Sequence, residues 1–497
     1  MNKMNGMSLK QILRVTGGAL IKKGSKQCPV TDISTDSRDI GPGALFIALT
    51  GMNFDGHDYI VQAVMKGACA VCVSDPGKLP EGDYTAISVE DTLKAYQAIA
   101  SSVREDRGYI VVGVTGSVGK TSTREMISSA ISPGIKTYQT RENFNNEIGV
   151  PKTLIETPED AQVCITEMGM RKKGEIHELA IIARPDIAVV TNIGISHIEL
   201  LGSKDEIFST KMEILDGLNE DGLLILNIND SYLSEFCSQA PSKYRIGAVY
   251  TGDEIPVHAE FTVRGYDLRQ TSVSVSFNAE IKSYQGIPII LKDVMIHIPG
   301  AHNVMNALIS IAVAVELDLK LRDVIRGISK YTSIGNRQKI FNQGTLTIID
   351  DTYNASPESM QSAISMLSDV AGTRRRIAIL GGMLELGDYS GLAHEEVGRA
   401  CYDGHIDMVF SFGNDAESIK KGIEIAQREA ADENTGVYPT KYFIFDTRDE
   451  LTDELLKQLK NDDVLLIKGS RGYEMEKVTQ SLTDADLTKL PLYGGNE

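Results

Sequence analysis

Residues 113–121 read GVTGSVGKT. The run follows the apolar stretch Tyr109-Ile110-Val111-Val112 and precedes a helix-like stretch from Ser122 to Ile127. Strand, loop and helix in that order are what a phosphate-cradling loop needs. Thr115, Gly116, Ser117, Val118, Gly119, Lys120, Thr121 and Ser122 would form the cradle. Gly113, Gly116 and Gly119 let the backbone turn its N–H groups toward phosphate oxygens. Lys120 can neutralise β- and γ-phosphate charge, and Thr121 offers a hydroxyl to Mg²⁺ at a helix N-terminus whose dipole favours anions. A strict GxxxxGK[ST] spacing asks for glycine at 114, where the chain has Val114, so the pattern is TGSxGKT. The chemistry this implies is that of a nucleotide triphosphate.

Further polar residues stand where apolar runs end. Val163-Cys-Ile-Thr166, Ile187-Ala-Val-Val-Thr191 and Leu223-Leu-Ile-Leu-Asn227 look like buried strands, and ligands of open α/β sheets bind beyond the carboxyl ends of strands. Glu167 ends the first run and Asn192 the second, with His197 five residues later in TNIGISHIELLGS. A carboxylate and an imidazole there suit Mg²⁺ or the reacting groups. Taken alone, a histidine beside an apolar strand is more often just a satisfied side chain. Gly300-Ala-His-Asn303 opens a small-residue helix, and Asp350, Asp351, Tyr353, Asn354 and Lys468-Gly-Ser-Arg471 end later strands.

The elements that must carry these residues fall into roughly three domains, since 497 residues exceed one core. A small α/β unit ends near the polar stretch 101–108. Short apolar runs then alternate with helical segments to about 330, as in a mostly parallel sheet covered by helices. Between 245 and 299 the pattern turns to β-like alternation, as in Thr271-Ser-Val-Ser-Val-Ser-Phe277. After Tyr331-Thr-Ser-Ile-Gly335 come five strand-like runs, TLTIIDD, RRIAILGG, DMVFSFG, KYFIFD and DVLLIKG, in the rhythm of a doubly wound domain. A net charge of −18 argues against nucleic acid or anionic membrane as the main partner. No stretch approaches eighteen consecutive apolar residues and the N-terminus lacks a long apolar core, so the expectation is a cytoplasmic protein. Six scattered cysteines, Cys28, Cys69, Cys72, Cys164, Cys237 and Cys401, read as buried free thiols.

In order along the chain, these segments resemble the Mur ligases of bacterial cell-wall synthesis, and the resemblance covers nearly the whole chain. The first unit has TDSR, PGALFIAL and DGH. Then follow TGSVGKTSTREM, NFNNEIGVPKTLI, TEMGMRKKGEI, TNIGISHIELLGS, KMEI, GAHNVMNAL, GNRQ, DDTYNASPESM, MLELG and KGSR. Each is weak alone, and the ordered set is specific. The DDTYNASP and MLELG blocks resemble the members that add D-alanyl-D-alanine rather than a single amino acid.

The resemblance implies an α/β fold of three domains. Residues 1–107 would bind a UDP-linked substrate, 108–331 would be a central ATP-binding P-loop domain with a mostly parallel sheet, and 332–497 a C-terminal Rossmann-like domain binding the incoming dipeptide. It implies an ATP-dependent amide ligase joining D-alanyl-D-alanine to UDP-N-acetylmuramoyl-tripeptide through an acyl phosphate. The enzyme would act as a monomer, without nucleic acid and without membrane insertion. Lys120 and Thr121 would hold the γ-phosphate and Mg²⁺, with Glu167 and His197 binding or positioning metal. Arg337 would face the triphosphate from the third domain, Asn303 the adenine and Asp351 the ribose hydroxyls. Lys211, in STKMEILDGL, matches a lysine that some Mur ligases carry as a carbamate bridging a second Mg²⁺; the residue by itself equally suits a helix-surface lysine paired with Glu213. Ser37 and Arg38, with His57 nearby, are implied for UDP, and Asn143, Asn145 and Asn146 for the path of the muramoyl peptide. Tyr353, Asn354, Ser356, Lys468, Ser470 and Arg471 are implied for the dipeptide, Arg471 being its carboxylate partner by charge.

Two departures lie near that last group. The family's LGDMLELG stands here as Leu380-Gly-Gly-Met-Leu-Glu-Leu-Gly387, without an acid at Gly382, and its YNANP as Tyr353-Asn-Ala-Ser-Pro357. Neutral loop variation and an altered choice of dipeptide both fit. Three rival readings stay open. A related ligase adding one amino acid would share the P-loop, Asn303 and Arg337. A P-loop motor or switch would want an hhhhD strand, where the nearest acid is Glu167. A silent scaffold would be expected to lose Lys120 or Glu167, and both are present.

Overall fold

The computed structural model describes residues 7–25, 29–240, 243–283, 286–333, 335–433, 435–485, 487 and 490–491. Three sheets follow one another along the chain. The first has five strands in the order Ala19–Lys22, Thr85–Ser88, Ala70–Val73, Ala44–Ile47 and Asp32–Ser34, parallel except for the first pair. Helix Thr92–Arg107 leaves this unit and packs between helix Leu9–Thr16 and the central helices Gly149–Glu156 and Glu175–Ala183. Arg104 ties it down by an ion pair to Asp186 at 2.7 Å.

The central sheet has nine strands. From one edge the order is Thr137–Gln139, Val163–Glu167, Ile110–Thr115, Ile187–Val190, Leu223–Asn227, Arg245–Thr251, Phe261–Gln270, Val275–Ser283 and Ile289–Ile296. The last two pairings are antiparallel and the rest parallel. Strand Ile110–Thr115 carries no polar side chain before Thr115 because both its faces are covered. Val112 and Val114 pack with Met126 and Ile127 of helix Lys120–Ile131, while Val111 packs with Ala100 and Val103 on the other side. Strands Phe261–Gln270 and Val275–Ser283 instead begin with a strict alternation of buried and half-buried residues, as expected where one face meets water. The alternating run at Thr271–Phe277 is not one strand, however. Thr271 to Ser274 form the hairpin turn, closed by Thr271 N–H on the Ser274 carbonyl at 2.9 Å, and the strand starts at Val275.

The third sheet has six strands rather than the five expected, in the order Lys339–Gln343, Leu346–Asp351, Val464–Lys468, Arg376–Gly381, Met408–Phe412 and Lys441–Phe445. The unread strand, Lys339–Gln343, is the antiparallel edge, half-buried and too polar to stand out by hydropathy. Helices Pro357–Ala371, Ser390–Asp403 and Ala416–Asp432 cover one face and Arg448–Gln458 and Glu476–Asp484 the other, a doubly wound arrangement. Val464–Lys468 and Arg376–Gly381 are neighbours whose exit loops lead to opposite faces. At their carboxyl ends the loops after 381 and after 468 lie against each other, Ser470 N–H donating to the Gly382 carbonyl at 3.0 Å.

Among the described residues no helix is long and apolar enough to cross a membrane. Cys72, Cys164, Cys237 and Cys401 are buried free thiols. Cys69 is disulfide-bonded, so the expectation of free thiols fails there; Cys28 lies outside the described residues.

Candidate active site across the central and third domains

Gly116 (φ 147°) and Gly119 (φ 84°) give the loop its turn, and a Cβ on Gly116 would stand 1.9 Å from Thr191 Oγ1. The segment after strand Ile187–Val190 holds the loop in place. Asn192 accepts Ser117 N–H at its carbonyl (3.0 Å) and Val118 N–H at Oδ1 (2.9 Å), while its amide donates to the Val118 carbonyl. Thr191 Oγ1 donates to the same carbonyl, Gly194 N–H donates to Ser117 Oγ, and Thr115 Oγ1 donates to the Met168 carbonyl. Lys120 Nζ curls back onto the Gly116 and Ser117 carbonyls at 2.7 and 3.3 Å. Burial, and secondarily Arg337, disfavours its charged form, while Glu167 favours it.

The helix that starts at Lys120 brings Thr121 to the end of strand Val163–Glu167. Thr121 Oγ1 donates to Glu167 Oε2 at 2.8 Å, Asn145 Nδ2 to Oε1 at 2.8 Å, and Arg124 Nη1 approaches Oε2 at 3.3 Å. Arg124 also pairs with Glu125, whose carboxyl pKa burial raises. Thus Lys120, Thr121, Glu167 and Asn145 are brought together, with Arg124 added. Among the described residues no three His, Cys, Asp or Glu side chains converge as a metal cage. A hydroxyl and one buried carboxylate facing a phosphate cradle nevertheless fit Mg²⁺, which keeps waters and leans on one or two carboxylates plus phosphate oxygens.

His197 sits in the left-handed region (φ 67°), its Nδ1 2.5 Å from Glu385 Oε2 of the third domain. Burial and then Lys120 disfavour its charged form, and Glu385 opposes them. Lys211 is 1% exposed, without a carboxylate in ion-pair distance among the described residues. A surface pair with Glu213 is not formed: Lys211 is buried, and the Glu213 carboxylate accepts Gly174 and His177 N–H instead. Burial pushes the Lys211 amine well below its usual range.

On the opposite flank, Asn303 is buried at the start of helix His302–Glu316, donating to the Pro299 carbonyl and linked through Asn306 to Thr123 of the P-loop helix. Asp351 ends strand Leu346–Asp351. Its carboxylate accepts Gln338 N–H at 3.2 Å and Lys468 Nζ at 2.6 Å. Lys468, 2% exposed, also donates to the Asn354 carbonyl, so its ammonium is taken up within the domain. Arg337 stacks its guanidinium 3.7 Å over the Tyr353 ring and is near enough to oppose charge on Lys120.

The remaining expected residues are more scattered. Asn143 is exposed, and Asn146 Oδ1 accepts Gly149 N–H at 3.0 Å, capping a helix rather than joining Asn145 at Glu167. Ser37 donates to Gln62, and Arg38 is exposed and chelates Asp36. Buried His57 is saturated: Nδ1 meets Asp55 at 2.6 Å and Nε2 accepts Ser74 and Asp75 N–H. Asn354 is exposed, its Oδ1 accepting Arg471 N–H; the Arg471 guanidinium is largely exposed. Ser470 Oγ accepts Leu384 N–H and donates to the Ala355 carbonyl, stitching three loops together. Asn192, Arg124, Glu358 and Glu385 were absent from the expected set. Each sits in a quoted motif, but nothing local announces its distant partner.

Both departures have a physical account. Ser356 is the N-cap of helix Pro357–Ala371, a position Asn and Ser fill about equally well. Tyr473 occupies the space beside Gly382: a Cβ there would stand 2.5 Å from its Oη, and one on Gly413 2.4 Å from its ring. The ring of Tyr473 has taken the room a side chain at 382 would need.

A phosphate cradle in one α/β domain, faced by strand-end loops of a second, defines a nucleotide-using enzyme with its site between domains. The chain belongs to the Mur ligase family: the family's catalytic domain matches residues 29–104, its middle domain 114–314, and its glutamate ligase domain 336–471. Among curated relatives, UDP-N-acetylmuramoyl-tripeptide-D-alanyl-D-alanine ligase of Bacillus subtilis is 33% identical over 97% of this chain and 99% of its own length. The enzyme of that name from Escherichia coli is 30% identical over 97% and 99%. Among solved structures, MurF from Acinetobacter baumannii matches with a TM-score of 0.84 at 28% identity, over 97% of this chain and 100% of that one. MurF ligase from Thermotoga maritima, in complex with ADP, matches at 0.74 and 25% identity, over 92% and 98%.

Proposed function

We propose that this chain is an ATP-dependent carbon–nitrogen ligase that joins D-alanyl-D-alanine to UDP-N-acetylmuramoyl-tripeptide, giving UDP-N-acetylmuramoyl-pentapeptide, ADP and phosphate for peptidoglycan synthesis. The observation that carries this reading is the meeting of the P-loop and the third domain's loops on one segment, 192–199. Near-full-length likeness to UDP-N-acetylmuramoyl-tripeptide-D-alanyl-D-alanine ligases supports the two peptide substrates, and the ADP of the Thermotoga relative supports the nucleotide. The division into 1–107 for the UDP substrate, 108–331 for ATP and 332–497 for the dipeptide follows the three sheets.

In the first step an oxygen of the tripeptide's terminal carboxylate attacks the γ-phosphorus, the bond to ADP breaks, and an acyl phosphate forms. In the second the dipeptide amine attacks the acyl carbon, the amide bond forms and phosphate leaves. Such transfer asks the protein for positioning and charge neutralisation more than for covalent help. Lys120 and Arg337 face the triphosphate, Asn303 the adenine and Asp351 the ribose. Thr121 and Glu167 would hold Mg²⁺, with His197 and a carbamate on Lys211 serving a second ion; the metal supplies neutralisation of the phosphoryl oxygens. Ser37 and Arg38 serve the UDP moiety, Asn145 the muramoyl peptide, and Asn354, Ser470 and Arg471 the dipeptide. His57, Asn146, Ser356 and Lys468 act by holding those loops. One chain supplies the whole site, which supports a monomer, and ATP and a UDP-sugar peptide as substrates support the cytoplasm.

Phosphate release from ATP with UDP-N-acetylmuramoyl-tripeptide tests the reading. Release should require D-alanyl-D-alanine and fail with single D- or L-amino acids; release with a single amino acid alone would overturn the acceptor assignment. Lys120→Ala should abolish turnover and leave binding of the UDP substrate largely intact, read by calorimetry.

A further inference from the structure

The MLELG block carries one carboxylate, and it is engaged outside its own domain. Glu385 Oε2 meets His197 Nδ1 at 2.5 Å, and the Glu385 carbonyl accepts Glu199 N–H at 3.4 Å. A second carboxylate of the third domain grips the same segment. Glu358, in the first turn of helix Pro357–Ala371, accepts Ile195 N–H at 3.0 Å. A Cβ on Gly194 would stand 2.3 Å from Glu358 Oε1, so glycine there is what lets the carboxylate approach.

The gripped segment is the one that holds the P-loop, through Gly194 N–H on Ser117 Oγ and through Asn192. The gripping loop is itself rigid. Met383 N–H donates to Nε2 of His394, which is fully buried with Nδ1 on the Ser390 carbonyl, and Leu384 N–H donates to Ser470 Oγ. His197 (φ 67°) and Glu385 (φ 62°) both hold left-handed backbone conformations, which are unfavourable for a non-glycine residue and persist where the surroundings impose them. Two strained residues bonded across a domain boundary are a built contact.

We propose that Glu385 is a positioning residue for His197: it accepts the Nδ1 proton, fixes the imidazole in the Nδ1–H tautomer and leaves Nε2 as the free nitrogen, and it does so only when the third domain, seated by Glu358, is closed on the central one. This rests on the proposed reading in one respect, that His197 serves the transfer. A histidine that works through one nitrogen is commonly oriented by a carboxylate on the other, and loss of that partner typically costs about 10–100-fold. The arrangement makes His197 competent only when the domain meant to hold the acceptor is in place.

Glu385→Met keeps the volume and removes the acceptor, and Glu385→Gln keeps an acceptor oxygen. Ring nitrogen-15 shifts of His197, recorded on the protein without nucleotide, should show a single Nδ1–H tautomer in the wild type and in Glu385→Gln, and a mixture in Glu385→Met. In turnover, Glu385→Met should lower kcat about tenfold or more, with KM for ATP within about twofold, and Glu385→Gln should recover most of the loss. Should Glu385→Met not fold, Glu385→Leu, which also lacks an acceptor, replaces it with the same expectation. A wild-type tautomer in the acceptor-less variant overturns the proposal, as does an unchanged kcat. The tautomer measurement needs no substrate, so it decides the positioning role even where the ligase reading fails.

Discussion

Lys211 shows how a single residue's surroundings can state its chemistry. At 1% exposure and with no acid in ion-pair distance among the described residues, burial disfavours its ammonium and favours the neutral amine, the form that adds carbon dioxide. The new N–C bond and loss of a proton would convert a buried would-be cation into an anion suited to Mg²⁺. Enzyme depleted of carbon dioxide should therefore lose most of its activity and regain it with bicarbonate, and carbon-13 bicarbonate should give a carbamate resonance absent from Lys211→Ala. An undiminished rate in depleted buffer would remove the carbamate from the mechanism. Sequence alone left Lys211 divided between this and a surface pair with Glu213, because burial is not written in STKMEILDGL. Lys120, Thr121 and Glu167 were legible, since a P-loop's chemistry is carried by adjacent residues and a strand end. Arg124 was not, because it lies one turn beyond the Lys120-Thr121 signature and nothing local gives its side chain a phosphate-loop role.

Elements show which of the two departures from the family pattern matters. Ser356 caps helix Pro357–Ala371 with a reciprocal bond to Ser359, so Ser356→Asn should leave stability nearly unchanged and Ser356→Ala should cost about 1 kcal/mol in denaturant unfolding. Gly382 is different. Gly382→Asp forces the Tyr473 ring from its place between Gly382 and Gly413, with an overpacking cost of about 1–3 kcal/mol. Adding Tyr473→Ala should recover most of that loss; a failure to do so would mean the ring does not compete with a side chain at 382. Strand ends and the P-loop helix were readable because both faces of the central strands are covered and the apolar runs are continuous. The hairpin at 271–274 and the edge strand Lys339–Gln343 were misread because alternation continues through a polar turn and fades at a solvated edge.

For the molecule as a whole, a chain of polar contacts joins the central and third domains. His302 of the central domain meets Gln338 Oε1 at 2.8 Å, Gln338 N–H donates to Asp351, and Asp351 pairs with Lys468. Burial lowers the His302 pKa below its usual 6.5. The unfolded chain then binds a proton that the folded one resists, so His302 costs nothing above pH 6.5 and destabilises increasingly as pH falls below it. His302→Gln keeps a donor for Gln338 and cannot titrate. The fall in Tm between about pH 7.5 and 5.5 should be smaller in that variant than in the wild type, and an equal fall would show that His302 does not contribute to acid sensitivity.

The sequence by itself determined the parts whose information is local. TGSVGKT requires a strand, a turn with positive-φ glycines and a helix N-terminus, and continuous apolar runs require covered parallel strands, so the fold class and the phosphate cradle follow from local sequence alone. Tertiary structure alone decided which distant groups meet. Glu385 finds His197 across 188 positions and Glu358 finds Ile195 across 163, because two separately folded sheets present their carboxyl ends to each other. It likewise decided that His57, Asn146 and Lys468 are spent on internal bonds while Asn145 reaches Glu167. The physical reason is one of range: backbone propensity and side-chain periodicity act over a few residues, whereas burial and charge pairing exist only after domains have packed.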